Sequence, residues 1–500
     1  MKKIVYLPLD ERPCNYNFVA FLCEGNKELK LVRPKLSELG HEKTPADYSK
    51  IEGFLLRECL DADYLILSVD MLLYGGIVPS RLHHLDKDEL ESRLFLLNVL
   101  KRRNAKMKIY AFSLIMRCPC YSSNEEEPDY YGICGEEIFL YGQNEHKFAL
   151  GKIDSDEYRE NRVRLSEKCV DYLGDFLTRR KINLSMVIKT LELVGNVIDK
   201  FIIPQDDSNP IGYTAMDQAV VKEYIANHNL KVDIYPGADE AGLTLLARVV
   251  IDIKGYKPVI AAFYPKKECR KIIPTFEDRE VYKSICAQIE NAGAVLVEGE
   301  GEEDADILMY CNLPVGEMKN TMFQFGESYD KRDLPAFIER ICKHVRAGKL
   351  VAVSDQAYLN GGDKELTERI SEKVGILSLA GYAGWNTSSN TLGTVICQSI
   401  MRYFYGATPA HRRFTALRVY EDVAYDSEVR RHIAEDVIPP MGYDYTRLDG
   451  ERGVINDMIC KEVQKYMDEH FPEVTDLYEI ADCYMPWNRT FEIGLVIEEK

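Results

Sequence analysis

Tryptophan is nearly absent from this sequence, with 2 residues in 500, and histidine is sparse at 9. No HExxH or HxH spacing occurs, so a histidine-built zinc centre has no signature here. The 14 cysteines run from Cys14 to Cys483 without a CxxC pair. Their nearest approach, Cys118-Pro119-Cys120, has the wrong spacing for a zinc knuckle. Basic charge is also short: 63 Lys and Arg face 81 Asp and Glu, a formal net charge of -18. A general nucleic-acid binder needs a basic face to neutralise phosphates, so that class is excluded; local capture of an anion is not. There is no GxSxG elbow for a serine hydrolase, no Walker loop and no GxGxxG turn. No apolar run approaches the roughly 18 residues of a membrane helix.

What remains is an ordinary globular composition, 46% apolar and 29% charged. A chain of 500 residues exceeds one ordinary core, so two or three domains are expected. The opening MKKIVYLPLDERP has too short an apolar stretch for a signal peptide and runs into charge. The reading is a cytoplasmic protein whose cysteines are buried thiols.

Short β-branched or aromatic runs read as strands at Ile4–Leu9, Leu31–Arg33, Tyr64–Val69, Lys108–Leu114, Phe201–Pro204 and Val232–Tyr235. Helix-like stretches lie between them, among them 86–103, 154–180 and 214–227, with Asp86 and Thr214 as N-caps. The second half repeats the style with strands at Val259–Tyr264, Ala294–Val297, Ile307–Cys311, Leu350–Val353 and Ile376–Leu379. Such alternation predicts an α/β fold of parallel strands and crossover helices. The expected N-terminal α/β domain covers 1–253, with a TIM-like barrel as the first choice and an open parallel sheet as the second. A doubly wound, flavodoxin- or Rossmann-like domain covers 254–404, and a mainly helical region covers 405–500. The polar stretch 121–150 lacks periodicity and reads as a long loop over a site.

In parallel α/β folds the residues just past the strand C-termini share one face. Here those positions hold Asp10, Arg12 and Asn15 after the first strand, Asp70 and Arg81 after the third, and Arg117 after the fourth. Asp206, Asp207 and Asn209 follow the fifth, and Asp239 and Glu240 the sixth. One acid at a strand end is most simply a helix cap. So many at one mouth repel one another, and at least one pKa should rise, which makes a proton donor at neutral pH. Later strand ends carry Asp355-Gln356 and the Gly-rich turn holding Trp385-Asn386 and Asn390. Both tryptophans precede an asparagine, and Trp487-Asn488 is followed by Arg489. Trp faces stack on sugar rings and amides bind their hydroxyls, although a core role is the commoner fate of a lone Trp.

The segment Tyr235-Pro236-Gly237-Ala238-Asp239-Glu240 is similar to the Gly-Gly-Asp-Glu element of family 20 hexosaminidases. That resemblance implies that Asp239 steers an acetamido group and Glu240 is the general acid. Along its whole length the chain resembles an uncharacterised bacterial family of about this size, a domain of unknown function. The resemblance is carried by Pro8-Leu9-Asp10-Glu11-Arg12-Pro13, PQDDSNPIGYTAMDQ, YPGADEAG, SDQAYLNGGD, GYAGWNTSSNTLG and PWNRTFE. It implies a bacterial host and that these segments belong to one design, and it supplies no established activity.

The leading expectation is a glycoside hydrolase-like enzyme for a small sugar, N-acetylated if the Asp239-Glu240 resemblance holds. Glu240 would be the acid, with Asp239, Asp206 and Asp207 orienting the substrate or stabilising its cation. No cofactor is expected. The alternatives are a hydrolase or isomerase holding Mg²⁺ or Mn²⁺ in the Asp cluster, and a non-catalytic sugar-binding or regulatory protein. The partner in each case is a small polar molecule, with no nucleic acid and no membrane.

Overall fold

The computed structural model describes residues 1–163, 166–297, 304–324 and 327–500. The chain divides into two compact units. The first comprises 1–11, 26–242 and 276–278, and the second 12–25, 243–275 and 279–500.

The first unit is built on β1 (Lys2–Leu7), β2 (Leu29–Val32), β3 (Tyr64–Ser68), β4 (Lys108–Phe112), β5 (Lys200–Gln205) and β6 (Asp233–Pro236). All pair in parallel, in the order β2-β1-β3-β4-β5-β6. Ile4 to Leu7 are buried in succession, and β3 is buried throughout. Strands covered on both faces have no solvent side, which is why they read as unbroken apolar runs. The helix Lys87–Arg103 is capped by Asp86, whose carboxylate accepts from the Glu89 N–H, and it buries Leu90, Leu94, Leu97 and Leu100 along one face. Thr214 lies inside the helix Tyr213–Asn227 rather than capping it.

Strand number and direction agree with the sequence reading, but closure does not. Among the described residues β2 and β6 are edges, so the sheet is open and the barrel gives way to the open-sheet alternative. A barrel needs its first and last strands paired. The stretch 121–150 is irregular only as far as Tyr130, after which the helix Tyr131–Ala149 begins. Its buried face is Tyr131, Cys134, Gly135, Ile138 and Gly142, in which small residues hide the apolar period. Two further helices, Ser155–Val163 and Glu167–Leu191, replace the single one expected. Together these helices enclose an apolar cluster of their own around Met116, Cys118, Phe176 and Tyr213. Within it Cys134 and Cys169 form a disulfide, which corrects the expectation that every cysteine is a thiol.

The second unit contains β7 (Val259–Phe263), β8 (Val295–Val297), β9 (Ile307–Asn312), β10 (Lys319–Asn320), β11 (Val351–Asp355), β12 (Tyr358–Leu359), β13 (Gly381–Ala383), β14 (Tyr478–Tyr484) and β15 (Gly494–Glu499). Five form a parallel sheet in the order β13-β11-β9-β7-β8, β10 pairs with β12, and β14 and β15 form an antiparallel hairpin. The strand expected at Ile376–Leu379 is a 3-10 turn there, and the strand proper starts at Gly381. A Cβ at Gly381 would sit 3.2 Å from the Val395 carbonyl, so this strand is glycine-led because a helix backbone lies against it. The region from 405 onward is helical, including a π-helical stretch at Val419–Val429, but also holds the hairpin. Its residues share one apolar core with the five-stranded sheet, running from Ala261 to Ile497, so no core boundary falls at 405. Among the described residues no helix is long and apolar enough to cross a membrane.

Candidate functional site

Two strand ends and one loop build the polar centre of the first unit. β3 runs into Ser68, whose hydroxyl accepts from the Met71 N–H and starts the short helix Val69–Tyr74. That cap places Asp70 in the first turn. Its Oδ2 accepts from the Leu114 N–H at 3.0 Å, just past β4. Burial pushes the Asp70 carboxyl up to about 7, against hydrogen bonds that pull it down. β5 runs into Asp206 and Asp207, and Asp207 takes a left-handed φ of 37°. A non-glycine residue holds that conformation only where its surroundings fix it, and such sites cluster with function.

Arg81 and Arg117 hold the acids. Arg81 donates from Nη2 to Asp206 Oδ2 at 2.7 Å and from Nη1 to Glu126 Oε2 at 2.9 Å. Arg117 donates from Nε to Glu127 Oε1 at 2.7 Å, from Nη1 to Asp207 Oδ2 at 2.9 Å and from Nη2 to Glu126 Oε2 at 3.0 Å. Burial, then the charge of Asp206, raises the Asp207 carboxyl to about 7, even though Arg117 opposes the change. Asp70, Ser80, Arg81, Arg117, Asn183 and Asp206 line a narrow cavity of about 10 Å³, room for roughly one water.

Sequence reasoning brings Asp70, Arg81, Arg117, Asp206 and Asp207 to this place. It misses Glu126 and Glu127, which look like part of a solvated acidic run at 125–127 but turn inward onto the arginines. It also misses Asn183, which donates to the Ser80 carbonyl at 2.8 Å from the helix Glu167–Leu191. The loop character of 121–130 is the available signal.

Asp239 and Glu240 are buried past β6, outside the arginine cluster. Glu240 is 0% exposed and accepts from the Ala238 N–H at 2.8 Å through Oε2. Burial raises its pKa well above the usual range. Asp10 is also buried, and Asn209 receives the Ile211 N–H in a local turn.

In the second unit the predicted residues form three groups. Asp355 is enclosed and accepts from Asn312 Nδ2 at 2.8 Å, the Asp363 N–H at 2.7 Å and the Tyr382 hydroxyl at 3.2 Å. Burial and then Asp363 lift it to about 7. Gln356 donates to Ser354 Oγ and accepts from Ser388 Oγ. Trp385 donates from Nε1 to Thr394 Oγ1 at 3.1 Å and meets Phe18 edge-on at 5.6 Å. Asn386, at a φ of 53°, gives its carbonyl to the Asn360 N–H, and the Asn390 carbonyl receives the Thr394 hydroxyl. Arg12 and Arg489 lie over the Trp487 ring at 4.7 Å and 4.6 Å, with Glu492 near both guanidiniums. Asn15 is buried beside Cys14. These are packed, bonded positions, and the Trp487 ring is covered by the guanidiniums of Arg12 and Arg489. A groove of about 840 Å³ in this unit, lined by Glu368, His432, Tyr466 and His470 among others, holds none of them. Among the described residues no three His, Cys, Asp or Glu side chains are placed to hold a metal ion.

A search of curated proteins finds no match to the chain. One family model matches it over residues 4–496, nearly the whole length. The chain therefore belongs to the family described as "Protein of unknown function (DUF4127)".

Proposed function

We propose that the first unit carries a glycoside hydrolase-like site for a small sugar, working by carboxylate general acid catalysis with Asp207 as the proton donor. One observation carries the reading. Asp206 and Asp207 each give Oδ2 to an arginine, while Oδ1 of each has no hydrogen bond among the described residues. Their side chains are 18% and 14% exposed. A proton donor must touch its substrate and be protonated near neutral pH. Asp207, raised to about 7 and partly exposed, suits both conditions; Glu240 is also raised by burial but is enclosed by its own turn. Asp206 is then the second carboxylate, next to the oxocarbenium-like charge that glycoside cleavage develops.

The position of the pair suits this reading. In doubly wound sheets ligands sit outside the strand C-termini, and we read both parallel sheets as members of that class. A cytoplasmic location is carried forward as part of the proposal; the Cys134–Cys169 bond weighs against it, because such bonds are rare in reducing compartments.

A panel of aryl glycosides tests the assignment. Asp207→Asn is expected to lower turnover about 100-fold or more, and Glu240→Gln to retain most of it. Full activity in Asp207→Asn removes the assignment. One competing reading is a sugar-binding regulatory protein. Thermal stabilisation by sugars without turnover of any glycoside would establish that instead.

A further inference from the structure

We infer that the group this site recognises on its ligand is a cation, a primary ammonium, so that the substrate class is an amino sugar with its amine free rather than acetylated. The inference rests on the sugar-site reading above and narrows it. Four carboxylates, Glu126, Glu127, Asp206 and Asp207, surround two guanidiniums, Arg81 and Arg117. Fully ionised, the cluster is two charges negative. The arginines give their hydrogen bonds to Oδ2 of Asp206 and of Asp207, and among the described residues Oδ1 of each carries none.

A second observation is independent of that charge count. Glu127 is 1% exposed, and its Oε1 takes the Arg117 Nε hydrogen bond and the Arg81 ion pair. Its Oε2, buried in the same cluster, has no hydrogen-bond partner. The Gln205 Oε1 at the end of β5 is likewise buried without one. A buried acceptor left unmet carries a desolvation penalty that a donor relieves. Around the four carboxylates acceptors and negative charge are thus in excess, while Arg180, which donates to the Arg117 carbonyl, keeps a buried Nη2 without a hydrogen-bond partner beside them.

Ligand chemistry follows from that excess. An ammonium brings three N–H donors and a full charge. An acetamide brings one donor and a carbonyl that itself needs a donor, and a hydroxyl brings one donor without charge. A uronic acid or sugar phosphate would add a like charge next to Asp206. The Asp207 carboxyl is raised first by burial and then by the charge of Asp206, and the second of these is the repulsion a uronate or phosphate would add to.

Isothermal titration tests this with methyl glycosides of glucosamine, galactosamine and mannosamine, beside their N-acetyl and 2-hydroxy counterparts. At least one amine should bind on the order of tenfold tighter than both counterparts, the gain of a charge-assisted hydrogen bond. That margin should vanish as pH rises above the amine's own pKa. It should also shrink in Asp206→Asn, and in Glu126→Gln should the first variant fold poorly. Equal or tighter binding of the N-acetyl sugars, no binding of any amine, or an undiminished margin in a folded variant overturns the inference. Aryl glycoside turnover separates it from the reading it rests on. Hydrolysis without amine preference removes the inference alone, and amine binding without hydrolysis removes the hydrolase alone.

Discussion

Arg81 donates to the Asp206 carboxylate at 2.7 Å, joining residues 125 positions apart in the sequence. The bond ties the short helix Pro79–Leu82, which follows Val69–Tyr74, to the end of β5. Arg117 makes a parallel tie from the end of β4 to Asp207, with Glu126 shared between the two guanidiniums.

Removing one guanidinium should therefore cost far more than a surface ion pair. In Arg117→Met, Glu127 loses its shortest bond while remaining 1% exposed. Breaking a buried pair from one side typically destabilises by about 3–5 kcal/mol, because the remaining charge stays desolvated. Urea unfolding followed by circular dichroism should show a correspondingly earlier transition. A change within the usual range for exposed pairs, below about 1 kcal/mol, would mean the cluster is solvated.

Asp70 gives a pH dependence of definite sign. Its folded pKa is about 7, above the ordinary value near 3.8. The folded state therefore holds a proton that the unfolded chain has released between those values. Stability from this group is full below about pH 4 and is lost as pH rises through about 7. Each tenfold difference in acidity between the folded and unfolded chain corresponds to about 1.4 kcal/mol. Asp70→Asn, which mimics the protonated form, should flatten the fall in melting temperature between about pH 5 and 8 measured by calorimetry. An unchanged slope would show that Asp70 is ionised in the folded protein.

Much of this layout can be read from the sequence, for a physical reason. Strands buried on both faces must be apolar throughout, so β1, β3 and β4 stand out, and the polar residues that follow them mark the sheet's C-terminal edge. Asp70, Arg81, Arg117, Asp206 and Asp207 are visible as strand-end residues. What stays hidden depends on tertiary packing. Glu126 and Glu127 look like any surface acids until two arginines are placed opposite them. The helix Tyr131–Ala149 buries two glycines, a cysteine and one tyrosine, which no apolar period reveals. Glu240, the residue the local motif favours, is enclosed because Gly237 lets the chain fold back over it, which a six-residue match does not specify. Barrel closure fails for a similar reason: strand count and direction are local, whereas the pairing of edges is not.

Gly237 has a φ of 139°, and a Cβ built there would lie 1.9 Å from Glu240 Oε1. Gly237→Ala combines a conformation that L side chains rarely adopt with a clash that only movement of Glu240 relieves. The expected loss is about 1–3 kcal/mol. In the double variant Gly237→Ala, Glu240→Ala the clash is gone and only backbone strain remains, so the two losses should add to more than the double loses. Strict additivity in thermal denaturation would show that Glu240 does not occupy the space above Gly237.

The Cys134–Cys169 bond can be tested by counting thiols. It closes a loop of 35 residues between the helices Tyr131–Ala149 and Glu167–Leu191. Alkylation in denaturant without reductant should leave 2 of the 14 cysteines unmodified by intact mass, and all should react after reduction. Cross-linking a loop of this size restricts the unfolded chain by about 3–4 kcal/mol in the chain-entropy account. Cys134→Ser should therefore lower stability toward that scale, and Cys169→Ser should add little on top, because the bond is already lost. The adjoining loop carries Glu126 and Glu127, and Tyr131 of this cluster donates to the Pro119 carbonyl at 2.9 Å. Proteolysis in the stretch 119–130 should accordingly speed up in Cys134→Ser relative to the oxidised wild type. Fourteen reactive thiols in protein purified without reductant would show the pair reduced, and would remove the objection to a cytoplasmic location.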